Sequence, residues 1–135
     1  MDATLSGMAA KDELGRAGED RAVAYLRDDG YRILTRNWRC DQGEIDIVAA
    51  RDDTLVVVEV KTRRTEDYGH PFEAIDARKA QRLWRLAMAW LAAHPEEARG
   101  RRLRVDAIGL VGPDPARARL EHEPPRPHVD EHPLE

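Results

Sequence analysis

Cysteine is nearly missing from this chain. The single Cys40 excludes an intramolecular disulfide framework and any zinc cluster built on cysteines. No histidine stands near it in sequence, so it reads as a small loop-side residue and not as a nucleophile. No apolar run approaches the length needed to cross a bilayer. The N-terminal MDATLSGMAAKDE lacks the basic start and apolar middle of a secretory signal. A cytoplasmic protein with no membrane partner is therefore expected. A surplus of positive charge is missing too, since the net charge is −4. Proteins that grip nucleic acid through its phosphates usually carry a basic footprint, which counts against such a partner unless charge is unevenly spread.

It is unevenly spread. Residues 111–135 hold six acids against three arginines, while Arg78 to Arg104 holds eight Lys/Arg against Glu96 and Glu97. The same 111–135 stretch carries six of the eight prolines and few apolar residues. A chain of 135 residues suffices for one domain with one core. The expected organisation is a loose N-terminus at 1–10, a folded domain at 11–110 and a disordered, Pro-rich acidic tail at 111–135.

Within that domain the hydrophobic period changes repeatedly. Lys11 to Asp29 reads as a helix, with Leu14, Ala17, Ala22, Tyr25 and Leu26 at helical spacing and Gly30 as its stop. Glu19 edges the same stripe and faces either the sheet or solvent. Tyr31 to Asn37 alternates as a strand, and Trp38 to Gln42 is a polar turn. A helix starts between Phe72 and Asp76 and runs to Ala93, burying Leu83, Leu86, Ala87, Trp90 and Leu91. Arg78, Arg82 and Arg85 lie on another face beside Lys79, either as a solvated row or as a track for phosphates. Trp84 and Trp90 read as core or rim anchors. Arg102 to Leu110 is a further strand, on which Asp106 is either another cleft acid or, as expected, the partner of an arginine such as Arg104 on its own face.

The centre of the chain is Gly43 to Thr62, GEIDIVAARDDTLVVVEVKT, which reads as two strands joined by Arg51-Asp52-Asp53. Alternation puts Glu44, Asp46 and Val48 on one face of the first strand and Ile45 and Ile47 on the other. On the second strand Leu55, Val57, Glu59 and Lys61 share a face, opposite Val56, Val58 and Val60. Unpaired charge is costly in a core, so this strand must leave the core at its end and enter a wet cleft. The hairpin then brings Asp46 near Glu59 and Lys61. Two carboxylates with a lysine suit a hard divalent cation, which takes oxygen ligands and keeps several waters. Read alone, Glu59 and Lys61 are equally a same-face ion pair of small value. Arg63 and Arg64 follow at once, as a phosphate seat or as a charged strand exit.

An acid, about a dozen residues, then Glu-x-Lys on a Val-rich strand resembles the PD-(D/E)xK nuclease superfamily, with Ile45 standing where the motif's name has proline. The element order α-β-β-β-α-β resembles the core of the restriction-endonuclease-like fold, an α/β three-layer arrangement with a mixed central sheet between helices. Block by block, GRAGEDRAVAYLRDDGYRILTRNWR, GEIDIVA, LVVVEVKTR, GHPFEAIDARKAQRLWRLAMAWL and LRVDAIGL resemble the YraN-like family of bacterial proteins over about Leu14 to Leu110. That family in turn resembles archaeal Holliday-junction resolvases. The resemblance implies that Asp46 and Glu59 ligate Mg²⁺ or Mn²⁺, that Lys61 positions the attacking water, and that Glu19 adds a helix-borne catalytic acid. Glu44 becomes an outer-shell partner of the metal ligands. Arg63, Arg64, Arg78, Lys79, Arg82 and Arg85 become the nucleic-acid-binding set, with DNA ahead of RNA as partner. Junction-cutting relatives of the fold also imply a homodimer. The expected function is metal-dependent phosphodiester hydrolysis, of branched or structured DNA in repair or recombination. Two alternatives use the same residues: a nucleic-acid-binding module without catalysis, and a protein-interaction scaffold.

Overall fold

The computed structural model describes residues 3–67 and 69–123, with side chains from Asp12 onward. A long helix opens it, α1 (Ala3–Asp28), followed by strands β1 (Arg32–Cys40), β2 (Gly43–Arg51) and β3 (Thr54–Arg63). A short 3₁₀ helix (Pro71–Ala74), helices α2 (Ala77–Ala93) and α3 (Pro95–Ala98), and strands β4 (Arg102–Val111) and β5 (Arg119–Glu123) complete it. The five strands lie in sequence order in one mixed sheet, in which β3 and β4 are parallel and the other neighbours antiparallel. A parallel step requires a crossover, and α2 supplies it.

Two apolar layers sandwich the sheet. Ala22, Val23 and Leu26 of α1 pack on Ile47, Ala49, Val56, Val58, Val60, Ile108 and Leu110. On the other face Leu83, Leu86, Ala87, Trp90 and Leu91 of α2 pack on Val48, Leu55, Val57, Leu103 and Ala107. The alternation expected of β3 is therefore realised, and the helices cover opposite faces. Trp90 is fully buried, with its indole N–H donating to Thr35 Oγ1 at 3.2 Å. Trp84 is half-buried.

Four expectations need correction. Trp38 to Cys40, expected in a turn, extend β1 and pair with β2. The helix begins at Ala3, so residues 3–10 are helical and not a loose lead-in. Its buried stripe runs through Gly18, not Ala17, which is exposed. Gly18 lies so close to β3 that a Cβ there would overlap Thr62 Oγ1, a buried hydroxyl with no hydrogen-bond partner among the described residues. Finally, the fold does not stop at Leu110. β5 pairs with β4 from Val111↔Arg119 to Ala107↔Glu123, so part of the expected tail is sheet; residues 124–135 lie outside the described residues.

β5 is fastened by a polar network on the α1 face. Asp106 is 2% exposed, and its carboxylate takes two hydrogen bonds from Arg104, both at 2.8 Å, as expected of that pair. Its Oδ2 also meets His122 Nε2 at 2.6 Å, while His122 Nδ1 meets the Tyr25 hydroxyl at 2.9 Å. Arg104 further donates to the Tyr31 hydroxyl at 2.7 Å. Asp106 is thus a structural anchor turned away from the cleft.

Candidate active site

The cleft exists because two strands part company. The β2–β3 ladder runs from Arg51↔Thr54 to Ile47↔Val58 and stops, whereas β2 stays paired with β1 as far as Cys40↔Gly43. Unbroken pairing would next set Asp46 against Glu59. Instead the Asp46 side chain enters the ladder, and its Oδ2 accepts from Val60 N–H at 2.8 Å. Across from Asp46, between the rungs Arg36↔Ile47 and Trp38↔Ile45, stands Asn37 at φ 53. A left-handed residue there breaks the pleat, a conformation Asn tolerates better than most side chains. The result corrects the expected faces of β2. Ile45 joins Val48 in the α2-side core, while Ile47 faces α1. Asp46 sits at the switch between the two faces.

Into this wedge come side chains from five elements. Glu59 is 7% exposed, and its Oε1 lies 3.5 Å from Lys61 Nζ and 3.2 Å from Lys79 Nζ. Lys79 belongs to the first turn of α2, which Asp76 caps by accepting from Lys79 N–H at 2.9 Å. Glu44, Asp46, Glu59, Lys79 and Arg82 line an open pocket of about 240 Å³, floored by Leu83 and Leu86. Glu19 reaches Asp46 from α1 and hydrogen-bonds its carboxyl. With its amide nitrogen turned toward the carboxylates, Asn37 donates to Glu19 Oε1 at 3.1 Å and to Glu44 Oε1 at 3.1 Å. Arg39 pairs with Glu44 at 3.3 Å.

Electrostatics follows from this crowding. Burial, then the nearby charge of Glu59, pushes the Asp46 carboxyl up to about 8, so it holds a proton at neutral pH. Burial raises Glu19 as well, against the opposing pull of its hydrogen bond to Asp46. Burial and the hydrogen bond with Lys79 lower the Lys61 ammonium. Lys79 moves the other way: burial pulls it down, but its bonds to Lys61 and Glu59 outweigh that.

The structure thus gathers Asp46, Glu59, Lys61 and Glu19, with Glu44 alongside. It moves Lys79 from the expected phosphate-binding row into contact with Glu59. Of that row Arg82 also lines the pocket, whereas Arg63, Arg64, Arg78 and Arg85 are exposed and outside its lining. Asn37 was not singled out from sequence, although an Asn ahead of a hairpin turn is a recognisable sign of a left-handed position. A second group of ligand-type side chains is Glu66, His70 and Glu121. His70 Nδ1 accepts from Phe72 N–H, so in neutral imidazole the proton sits on Nε2, the atom facing Glu121. Arg119 already pairs with both glutamates. That group is an ion-pair cluster tying the 66–70 loop to β5.

These observations define a three-layer α/β protein with a carboxylate–lysine cleft where its central strands fork. No described helix is long and apolar enough to cross a membrane. The sequence model of the Uncharacterised protein family UPF0102 matches residues 18–110, and the chain belongs to that family, the YraN-like proteins of the resemblance noted above. It is 52% identical over 115 residues to a UPF0102 protein of Paenarthrobacter aurescens, covering 85% of this chain and 93% of that one. A UPF0102 protein of Arthrobacter sp. is 51% identical over the same length, covering 85% of this chain and 96% of its own.

Proposed function

We propose that the protein is a divalent-metal-dependent nuclease with a restriction-endonuclease-like core, hydrolysing phosphodiester bonds of nucleic acid. The observation that carries this reading is Glu59 Oε1 lying 3.5 Å from Lys61 Nζ and 3.2 Å from Lys79 Nζ at the pocket that Glu59, Lys79 and Asp46 line. Donor chemistry supports a cation there. Asp46 and Glu59 are hard oxygen donors, and Asp46 retains a proton because burial, then repulsion from Glu59, disfavours its charged form. A divalent ion would relieve that repulsion, with Asp46 and Glu59 holding it and the remaining positions open to water and phosphate oxygens. When bound, such an ion supplies a more acidic water and a polarised phosphoryl group.

The chain's own residues do the rest. Glu59 fixes both ammonium groups by accepting from each. Lys61, held by Glu59, can orient a water through its ammonium and offset charge that develops on the attacked phosphate. Lys79 carries the compensating charge that the phosphorane-like state needs. Glu19 and Asn37 hold Asp46 and Glu44 in place. Arg82 flanks the pocket and contacts the phosphate backbone, while Arg63, Arg64, Arg78 and Arg85 extend that surface. DNA is the favoured substrate, and a homodimer pairs two such clefts.

A panel of junctions, flaps, single strands and RNA, incubated with Mg²⁺ or Mn²⁺, tests the proposal. The parent is expected to cleave at least one substrate, and Asp46→Ala and Glu59→Ala none. Cleavage by the variants at the parental rate would sink the assignment. Salt-sensitive binding with no cleavage of any substrate would leave a binding module instead.

A further inference from the structure

The sheet face that carries the cleft does not end at β3. Strand register sets Lys61 beside Gly109 and Gly109 beside Glu121. One row away it sets Glu59 beside Ala107 and Ala107 beside Glu123. Paired residues share a face, so Glu121 and Glu123 look out on the same side as Lys61 and Glu59. At roughly 4.8 Å per strand they lie on the order of 10 Å away. The small residues on β4 make room for the 3₁₀ helix between. A Cβ on Gly109 would lie 3.0 Å from the Phe72 ring, so that ring rests directly on the β4 backbone.

Beyond this ring is a second cavity, of about 470 Å³, lined by His70, Phe72, Glu73, Ile75, Glu121 and Glu123. Its chemistry is the reverse of a phosphate site. No described Lys or Arg lines it, and three glutamates do, Glu121 being paired with Arg119 from outside the lining. Its apolar lining is Phe72 with Ile75, and the His70 and Phe72 rings are 4.8 Å apart and tilted by 56°. Glu121 already meets His70 through one oxygen and accepts from Arg119 through the other, so the carboxylate offered to a base edge is Glu73. A phosphate would be repelled here. A planar ring with N–H donors on its edge would stack on Phe72 and donate to the glutamates.

We infer that this cavity is a nucleobase pocket, taking an unpaired, amino-bearing base of a nucleotide close to the one whose phosphate occupies the Glu59–Lys61 cleft. The inference rests on the nuclease reading for its choice of ligand and deepens it. The substrate is nucleic acid with an unpaired base near the scissile phosphate, because a base stacked within a duplex cannot enter a side pocket without being extruded. Cytosine, adenine and guanine carry exocyclic amines, whereas thymine and uracil present carbonyl oxygens that the glutamates repel.

The test is binding, not cleavage. Fluorescence anisotropy compares short labelled all-deoxycytidine and all-thymidine oligonucleotides in EDTA, with the full chain. The parent is expected to prefer deoxycytidine by about ten-fold, the discrimination of one good base-edge contact. Glu73→Ala, at an exposed position, should bring that preference close to one. Phe72→Leu keeps the packing on Gly109 but removes the stacking face, and should weaken both oligonucleotides by about five- to ten-fold. Circular dichroism checks that each variant is folded. Equal affinity for the two oligonucleotides in the parent, or a preference unchanged in Glu73→Ala, overturns the proposal. So does Glu73-dependent binding of an arginine-rich peptide by a parent with no base preference, which would make the cavity a protein-docking site. The two readings fail separately. Cleavage abolished by Asp46→Ala without base preference keeps the nuclease and discards the pocket, and base preference without any cleavage does the opposite.

Discussion

Replacing Asp46 by Asn should stabilise the metal-free protein, and the gain should grow with pH. Asn reproduces the protonated carboxyl: its carbonyl oxygen can accept from Val60 N–H, and its amide can donate to Glu19 as the acid proton does. In the parent the carboxyl moves from 3.8 to about 8 on folding. Between those values the unfolded chain has released the proton and the folded chain keeps it. The unfolded state then binds fewer protons, so the Asp46 contribution to stability falls as pH rises. The slope is about 1.4 kcal/mol per pH unit, and the loss between pH 4 and pH 7 is on the order of 4 kcal/mol. Above the folded value both states are ionised and the loss levels off. Urea unfolding of parent and variant in EDTA, at half-unit steps from pH 4.5 to 8.5, measures the difference for Asp46 together with its coupled neighbours Glu19 and Glu59, and uncoupled titrating groups cancel. A difference that is flat with pH, or that favours the parent at neutral pH, would refute the claim that Asp46 is buried among like charges. Adding Mn²⁺ should reverse the ranking, because the parent gains a ligand that Asn cannot replace.

Other consequences are simpler to check. Gly18→Ala should force α1 off β3 through Thr62 and cost about 2 kcal/mol, with cleavage reduced because Glu19 moves too; thermal melts and rates together test it. Lys79→Ala removes the cation 3.2 Å from Glu59 and should lower kcat at least about ten-fold with little change in KM, whereas Arg82→Ala should raise KM. Equal KM effects from both would return Lys79 to the binding row. Asp106→Ala strips the partner from Arg104 and should destabilise by about 3 kcal/mol in chemical denaturation, while the cleft residues keep their geometry.

Much of this architecture is written in local period. The Val run of β3 alternates without a break, so its two faces, and with them the adjacency of Glu59 and Lys61, follow from counting. Counting fails on β2 because it assumes an unbroken ladder. The left-handed Asn37 and the intruding Asp46 side chain change the face within one rung, and neither is a hydrophobic signal. Lys79 is obscured differently. In sequence it is one more cation beside Arg78 and Arg82, and only the height of α2 over β3 decides which of them meets Glu59. β5 is hidden by composition, since Arg119 to Glu123 holds Leu120 as its one aliphatic residue. Its place in the sheet comes from β4 backbone pairing and from His122 reaching Asp106, a contact over 16 residues.

That last strand bears on where the molecule can be cut. The family match ends at residue 110, an inviting boundary for a minimal expression clone. Ending translation there would leave β4 as a bare margin, with Ile108 and Leu110 beside unsatisfied amides and Asp106 without its histidine. Such a product offers a sticky template to its own copies, and its insolubility would say nothing about the chemistry of the cleft. Ribosomes also deliver this strand after the other four described strands, so that edge of the sheet stays open until β5 emerges.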